Sequence, residues 1–186
     1  MIYFIIESSL MSQTNPLQVK SLLFFPESLK TNPKNNSGIV FFTERLNLQK
    51  KMFVIHKGKE GFYLNLTNPI NTTNQIFSIK GQCTILEGKF YLYLLVKNDD
   101  KNIIKILPVI NSHPNMKFLE EKQMQSFKIE MNEELMYKYI KPKTFSRNAL
   151  FKNQIIGFLI EPFTNRTVFY CDAFELQFQP ILWETL

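Results

Sequence analysis

The stretch Gly88-Lys-Phe-Tyr-Leu-Tyr-Leu-Leu-Val-Lys97 alternates between two faces and carries no helical period. It predicts a β-strand with Phe90, Leu92, Leu94 and Val96 facing a core, and Tyr91, Tyr93, Leu95 and Lys97 on the other side. A second stretch near the C-terminus, Arg166-Thr-Val-Phe-Tyr-Cys-Asp-Ala-Phe-Glu-Leu-Gln-Phe178, has the same character. From Gly38 onward, apolar runs recur at intervals of about ten residues. They are Ile39–Phe42, Met52–Ile55, Gly61–Leu64, Ile76–Ile79, Phe90–Val96, Ile103–Ile110, Phe127–Met131, Ile155–Ile160 and Val168–Phe178. Residues suited to bends interrupt them at His56-Lys-Gly58, Asn68-Pro69, Leu86-Glu-Gly88, Asn98-Asp-Asp100 and Glu161-Pro162. Short runs at this spacing predict an all-β chain, an antiparallel sandwich or barrel rather than a helical bundle.

Outside this rhythm the pattern changes twice. Residues 8 to 38 are rich in Ser, Gln, Asn and Pro and hold one apolar anchor, Leu22-Leu-Phe-Phe25. With the opening Met-Ile-Tyr-Phe-Ile-Ile run read as a first strand, residues 1–37 form an irregular N-terminal arm and 38–186 the sandwich domain. Between Met116 and Tyr139, Phe118–Met124 and Asn132–Lys138 have helical character. The second begins with a cap-like Asn132 followed by Glu133 and Glu134, which suits the positive end of a short helix.

Composition narrows the class. The chain has 186 residues, 45% of them hydrophobic and 20% charged, which fits one globular domain able to bury its own core. Phenylalanine is over-represented at 18 copies, a bias that an AT-rich genome would also produce. Cys83 and Cys171 lie inside apolar runs, where two buried free thiols are the first reading and a disulfide requires neighbouring strands. His56 and His113 stand at no metal-ligand spacing from them, so a zinc site is excluded. The opening apolar run meets Glu7 too early for a signal segment and no stretch is long enough to cross a membrane as a helix, which sets an intracellular or virion-associated default. Four Asn-x-Ser/Thr sequons, at Asn35, Asn65, Asn71 and Asn165, weigh weakly toward secretion in so Asn-rich a chain.

The familiar catalytic signatures are missing: no phosphate-binding glycine loop, no His-Glu-x-x-His, no Gly-x-Ser-x-Gly and no Cys-x-x-Cys. A non-enzyme is expected. His56, before Lys57-Gly58-Lys59, reads as a solvated turn residue, and His113 as a loop residue awaiting a carboxylate and a pocket. The acidic pairs Asp99-Asp100, Glu120-Glu121 and Glu133-Glu134 read as solvated charges. Segment 137–152 combines five basic residues with four aromatics and no acid. Lys138, Lys141, Lys143 and Arg147 within it define an alternative role, an oligonucleotide-binding barrel that grips phosphates while bases stack on rings. The net charge of +6 is spread along the chain, weaker than a dedicated nucleic-acid binder carries.

Taken in order, the strands resemble the galactose-binding-domain-like jelly roll of many carbohydrate-binding modules, over roughly residues 39 to 178. The segment Gly88–Lys97 is similar to that family's long central strand. Phe169-Tyr-Cys-Asp-Ala-Phe-Glu-Leu176 is similar to its closing strand. The resemblance implies an antiparallel β-sandwich of jelly-roll type that binds glycans without catalysis. It also implies a structural calcium to which Asp172 would donate an oxygen, although calcium takes six to eight oxygens and the sequence names one; a strand-edge cap or ion pair is the simpler role for Asp172. The chain departs from the family in its single tryptophan, Trp183, which lies beyond the last strand, and in its expected intracellular default, since the family is usually secreted.

The aromatic outer face of the central strand is therefore the candidate ligand site, with Tyr91, Tyr93 and Lys97 as its residues. Its occupant is either a glycan or protein neighbours within a larger assembly such as a virion, a tail or a multi-subunit complex.

Overall fold

The computed structural model describes residues 20–24, 29–31, 37–43, 50–110, 118–120, 124–139, 152–172 and 174–181. Among them run fourteen strands and one helix. The strands are β1 (Lys20–Phe24), β2 (Leu29–Thr31), β3 (Ser37–Thr43), β4 (Lys50–Lys57), β5 (Phe62–Asn71), β6 (Gln75–Glu87), β7 (Lys89–Asn98), β8 (Ile103–Ile106), β9 (Val109–Ile110), β10 (Leu119–Glu120), β11 (Gln125–Met131), β12 (Asn153–Pro162), β13 (Arg166–Cys171) and β14 (Phe174–Pro180). The helix α1 spans Glu133–Tyr139.

All pairings are antiparallel and build two sheets. The first centres on β6, which pairs with β11 and with both β13 and β14; β1, β4, β3 and β9 extend it. The second runs β10-β7-β12-β5-β2, with β8 also on β7. The fold is thus the all-β sandwich expected, and its two open sheets are not the small barrel of the oligonucleotide-binding alternative. Two pieces of the expected irregular arm are strands, β1 on β14 and β2 on β5.

Alternation sets the core. In β7, Phe90, Leu92, Leu94 and Val96 are buried inward as the pattern predicts. Rings from the two sheets meet in the middle: Phe90 of β7 lies 4.8 Å from Phe169 of β13, and Phe158 of β12 lies 5.2 Å from Phe174 of β14. Six phenylalanines, with Phe62 and Phe127, are fully buried, so the abundance of Phe supplies the interlayer packing whatever its genomic origin. At Gly81 on β6 the Phe127 and Phe174 rings come so close that a Cβ would stand 2.6 Å from each, which makes that position a receiving slot for both.

In β12 the inward residues Ile155 and Phe158 are an odd number apart, which plain alternation forbids. A register shift between Ile155 and Gly157 absorbs the extra residue, so that Ile155 pairs Val96 and Phe158 pairs Leu94. Gly157 has φ +148°, and a Cβ there would run into the Leu64 carbonyl of β5. The expected turn at Asn68-Pro69 falls inside β5, where pairing with β12 skips from Asn65 to Ile70.

The strand register decides several local features. The terminal run is two strands, broken at Asp172, whose N–H donates to the Gln82 carbonyl at 3.0 Å. The helix at Asn132 is real: its Oδ1 accepts from Leu135 N–H at 2.9 Å, and Met136 is buried. The one expected over 118–124 is not: Leu119–Glu120 is a strand on β7. His56 is buried at 2% exposure and stacks on Phe62 at 4.3 Å, so it is a core residue and not a solvated turn; burial lowers its pKa. Cys83 and Cys171 face each other across β6 and β13 with Cα atoms 4.1 Å apart and form a disulfide, which replaces the free-thiol reading. The bond lies within one sheet and closes a separation of 88 residues.

Reducing the disulfide, or replacing both Cys83 and Cys171 with Ala, removes a cross-link that the chain-entropy model values at about 4.6 kcal/mol for a loop of this length. Thermal melts with and without a reductant should show a large drop in Tm. Gly157→Ala should cost about 3 kcal/mol, through backbone strain and the clash with Leu64, and denaturant melts should show it.

Candidate functional site

The outer face of the second sheet is built by the residues that alternate with the core. On β7 these are Lys89, Tyr91, Tyr93, Leu95 and Lys97. Pairing places Leu159 of β12 beside Tyr93, and Tyr63 of β5 beside Leu159. Lys105 of β8 lies opposite Leu95. Leu95 and Leu159 point outward yet are buried, at 1% and 3% exposure, and form a floor between more exposed rings. Tyr63 and Phe163 are the most open of those rings, at 40% and 43%.

The rings gather at the Lys89 end of β7. Tyr91 lies 4.8 Å from Phe163, 5.8 Å from Tyr93 and 6.5 Å from Phe118. Phe163 is held there because its N–H donates to the Lys89 carbonyl at 2.8 Å. The Lys89 ammonium sits 3.6 Å from the Phe118 ring centre and 5.4 Å from that of Phe163, a cation–π clamp on the edge of the cluster.

A polar group lies beside the rings. Lys105 Nζ reaches across β7 to Glu161 Oε1 at 2.8 Å and stands 5.4 Å from the Tyr93 ring centre. Burial, followed by the nearby Glu161 carboxylate as a charge and hydrogen-bond acceptor, raises the Tyr93 phenol's pKa above its ordinary value. Tyr93 is therefore protonated at neutral pH and, with Lys105 and Glu161, offers both donors and acceptors beside apolar surface.

Lys97 sits at the other end of β7, lining a cleft of about 430 Å³ with Asn71, Lys101, Lys152 and Gln154 among others. Of the three predicted residues, Tyr91 and Tyr93 are neighbours and Lys97 is apart from them. Phe118, Phe163, Tyr63, Lys105 and Glu161 were missed. Alternation of buried Ile104 and Ile106 already turns Lys105 outward, and the Asn98–Asp100 turn makes β8 a hairpin partner of β7, so that one signal was present.

The other candidates lie elsewhere. Lys138 is exposed on α1, 5.2 Å from the Tyr139 ring, whereas Lys141, Lys143 and Arg147 fall outside the described residues, as do His113 and Trp183. Asp172 Oδ1 lies 3.5 Å from Lys51 Nζ, so its charge already faces a cation. Among the described residues no group of three or more acidic, His or Cys side chains converges on a point. None of the helices among the described residues is long and apolar enough to cross a membrane.

No protein-family model and no curated protein matches the chain in sequence. In three dimensions it is similar to the CBM22-1 xylan-binding domain from Paenibacillus barcinonensis Xyn10C, with a TM-score of 0.51 and 9% identity, over 89% of this chain and 97% of that one. The CBM22-1-CBM22-2 tandem domain of the same protein gives a TM-score of 0.54 and 8% identity over 92% of this chain, which spans about half of it, 49%. The chain accordingly shares the jelly-roll β-sandwich fold of this xylan-binding domain, the architecture that the resemblance of the β7 and β13–β14 segments implied.

Proposed function

We propose that the chain is a non-catalytic module that binds a polysaccharide across the outer face of the second sheet. The observation that carries this reading is the juxtaposition of open aromatic rings with a donor–acceptor group on one sheet face. A pyranose ring has apolar C–H faces and a rim of hydroxyls. Tyr91, Phe163 and Tyr63 offer surfaces for the faces, and the Tyr93 hydroxyl, Glu161 and Lys105 offer partners for the rim. The fold likeness to a xylan-binding domain supports the same reading. A disulfide within the first sheet suits an oxidising compartment, where polysaccharides are met, better than the intracellular default. No observation among the described residues favours an assembly subunit or a nucleic-acid binder over this reading.

The test is affinity electrophoresis through gels containing soluble polysaccharides, xylan among them. At least one should retard the protein, and Tyr91→Ala or Phe163→Ala should weaken retention about tenfold or more each, as expected for anchor rings. Retention by none, or retention indifferent to both substitutions, overturns the proposal. Glu161→Gln should also move the Tyr93 titration, followed by ultraviolet absorbance, back toward the ordinary tyrosine range, because it removes the neighbouring negative charge.

A further inference from the structure

Resting on that reading, we propose that the cleft at the Lys97 end of β7 is a subsite for an oxyanion carried by the glycan, a uronate or a sulfate ester. The two ends of the outer face differ in charge. At the ring end Lys105 is neutralised by Glu161, and Lys89 lies against aromatic faces. Among the residues that line the cleft, Lys97, Lys101 and Lys152 face one acid, Asp99, with Asp100 next to it in the turn. Asp99 engages Lys152 at 3.8 Å, and both side chains are about half exposed, so the pair is weak. Lys97 and Lys101 have no ion pair among the described residues.

The cleft is also held in shape. Lys101 occupies a left-handed turn, φ 64°, in which its N–H donates to the Asn98 carbonyl at 3.0 Å while Asn98 Oδ1 accepts from Asn102 N–H at 2.9 Å. The opposite wall is fixed by buried Asn153, whose Nδ2 donates to Thr72 Oγ1 at 2.7 Å. Two lysines are thereby presented from a hairpin and a strand whose backbones do not need to rearrange, with the amide of Gln154 beside them for neighbouring hydroxyls.

Lys97 follows Tyr91 by six positions on the same face, about 20 Å along the strand. A chain of several sugars lying along β7 would stack at the ring end and place an acidic substituent in the cleft.

The experiment compares glucuronoxylan with the same polymer after carboxyl reduction, and a sulfated galactan with its desulfated form, by affinity electrophoresis at low and high salt. At least one acidic polymer should retain the protein tenfold or more better than its neutral form, with the advantage falling as salt rises. The Lys97→Gln, Lys101→Gln double variant should lose that advantage while keeping the wild-type Tm, and Tyr91→Ala should weaken binding to both members of the pair. The carboxylate and sulfate arms identify the anion. Equal retention of acidic and neutral forms, or an acidic preference that survives the double variant, overturns the cleft assignment and leaves the glycan reading standing. Retention by none of the four polymers overturns both.

Discussion

The inward phenylalanine layer is the constraint on which the rest of the molecule depends. Phe90 against Phe169 and Phe158 against Phe174 tie one sheet to the other. Because side chains in a strand alternate, fixing the first of each pair inward fixes its neighbours outward. Tyr91 lies half-buried on the outer face because Phe90 points inward, and Leu159 and Glu161 face outward because Phe158 and Ile160 fill the core. The candidate site is therefore the reverse side of the packing: a slip of one residue in β7 would bury Tyr91 and Tyr93 and expose Phe90, and a slip in β12 would bury Glu161 and expose Phe158.

The bulge at Ile156 shows how closely the two faces are coupled. Ile155 and Phe158 both belong inside, and without one absorbed residue only one of them could be. Gly157 makes the irregularity feasible by letting the β12 backbone lie against the Leu64 carbonyl of β5. The same correction keeps Gln154 on the side of Lys97 and Leu159 on the side of Tyr93. A backbone feature at one glycine thus sets both the continuity of the core and the alignment of the ring end with the cleft end.

What the sequence disclosed and what it withheld follow the range of the interactions involved. Strand identity, the two faces of β7 and the Asn132 cap depend on neighbours a few residues away, so local pattern reached them. The disulfide, the burial of His56 under Phe62 and the meeting of Phe118, Tyr91 and Phe163 depend on which strand lies beside which, and in what register. Cys83 and Cys171 look alike as thiols in apolar runs until β6 and β13 are known to be adjacent with those two residues opposite each other. Glu161 was visible only as a residue before a proline, since its partners Lys105 and Tyr93 come from two other strands.

The division of charge along the outer face has the same origin. Lys105 and Lys97 are both outward lysines at strand positions that differ little in composition, yet one meets a carboxylate and the other does not. The difference arises because β12 presents Glu161 near Tyr91 and Gln154 opposite Lys97, a consequence of antiparallel pairing and not of either lysine's own surroundings in sequence. On the proposed reading such a face would discriminate by position: stacking is indifferent to charge, whereas the far cleft would reward a ligand only if it carries an anion at that distance. On that reading, a ligand long enough to reach both ends would be read twice, once for shape and once for charge.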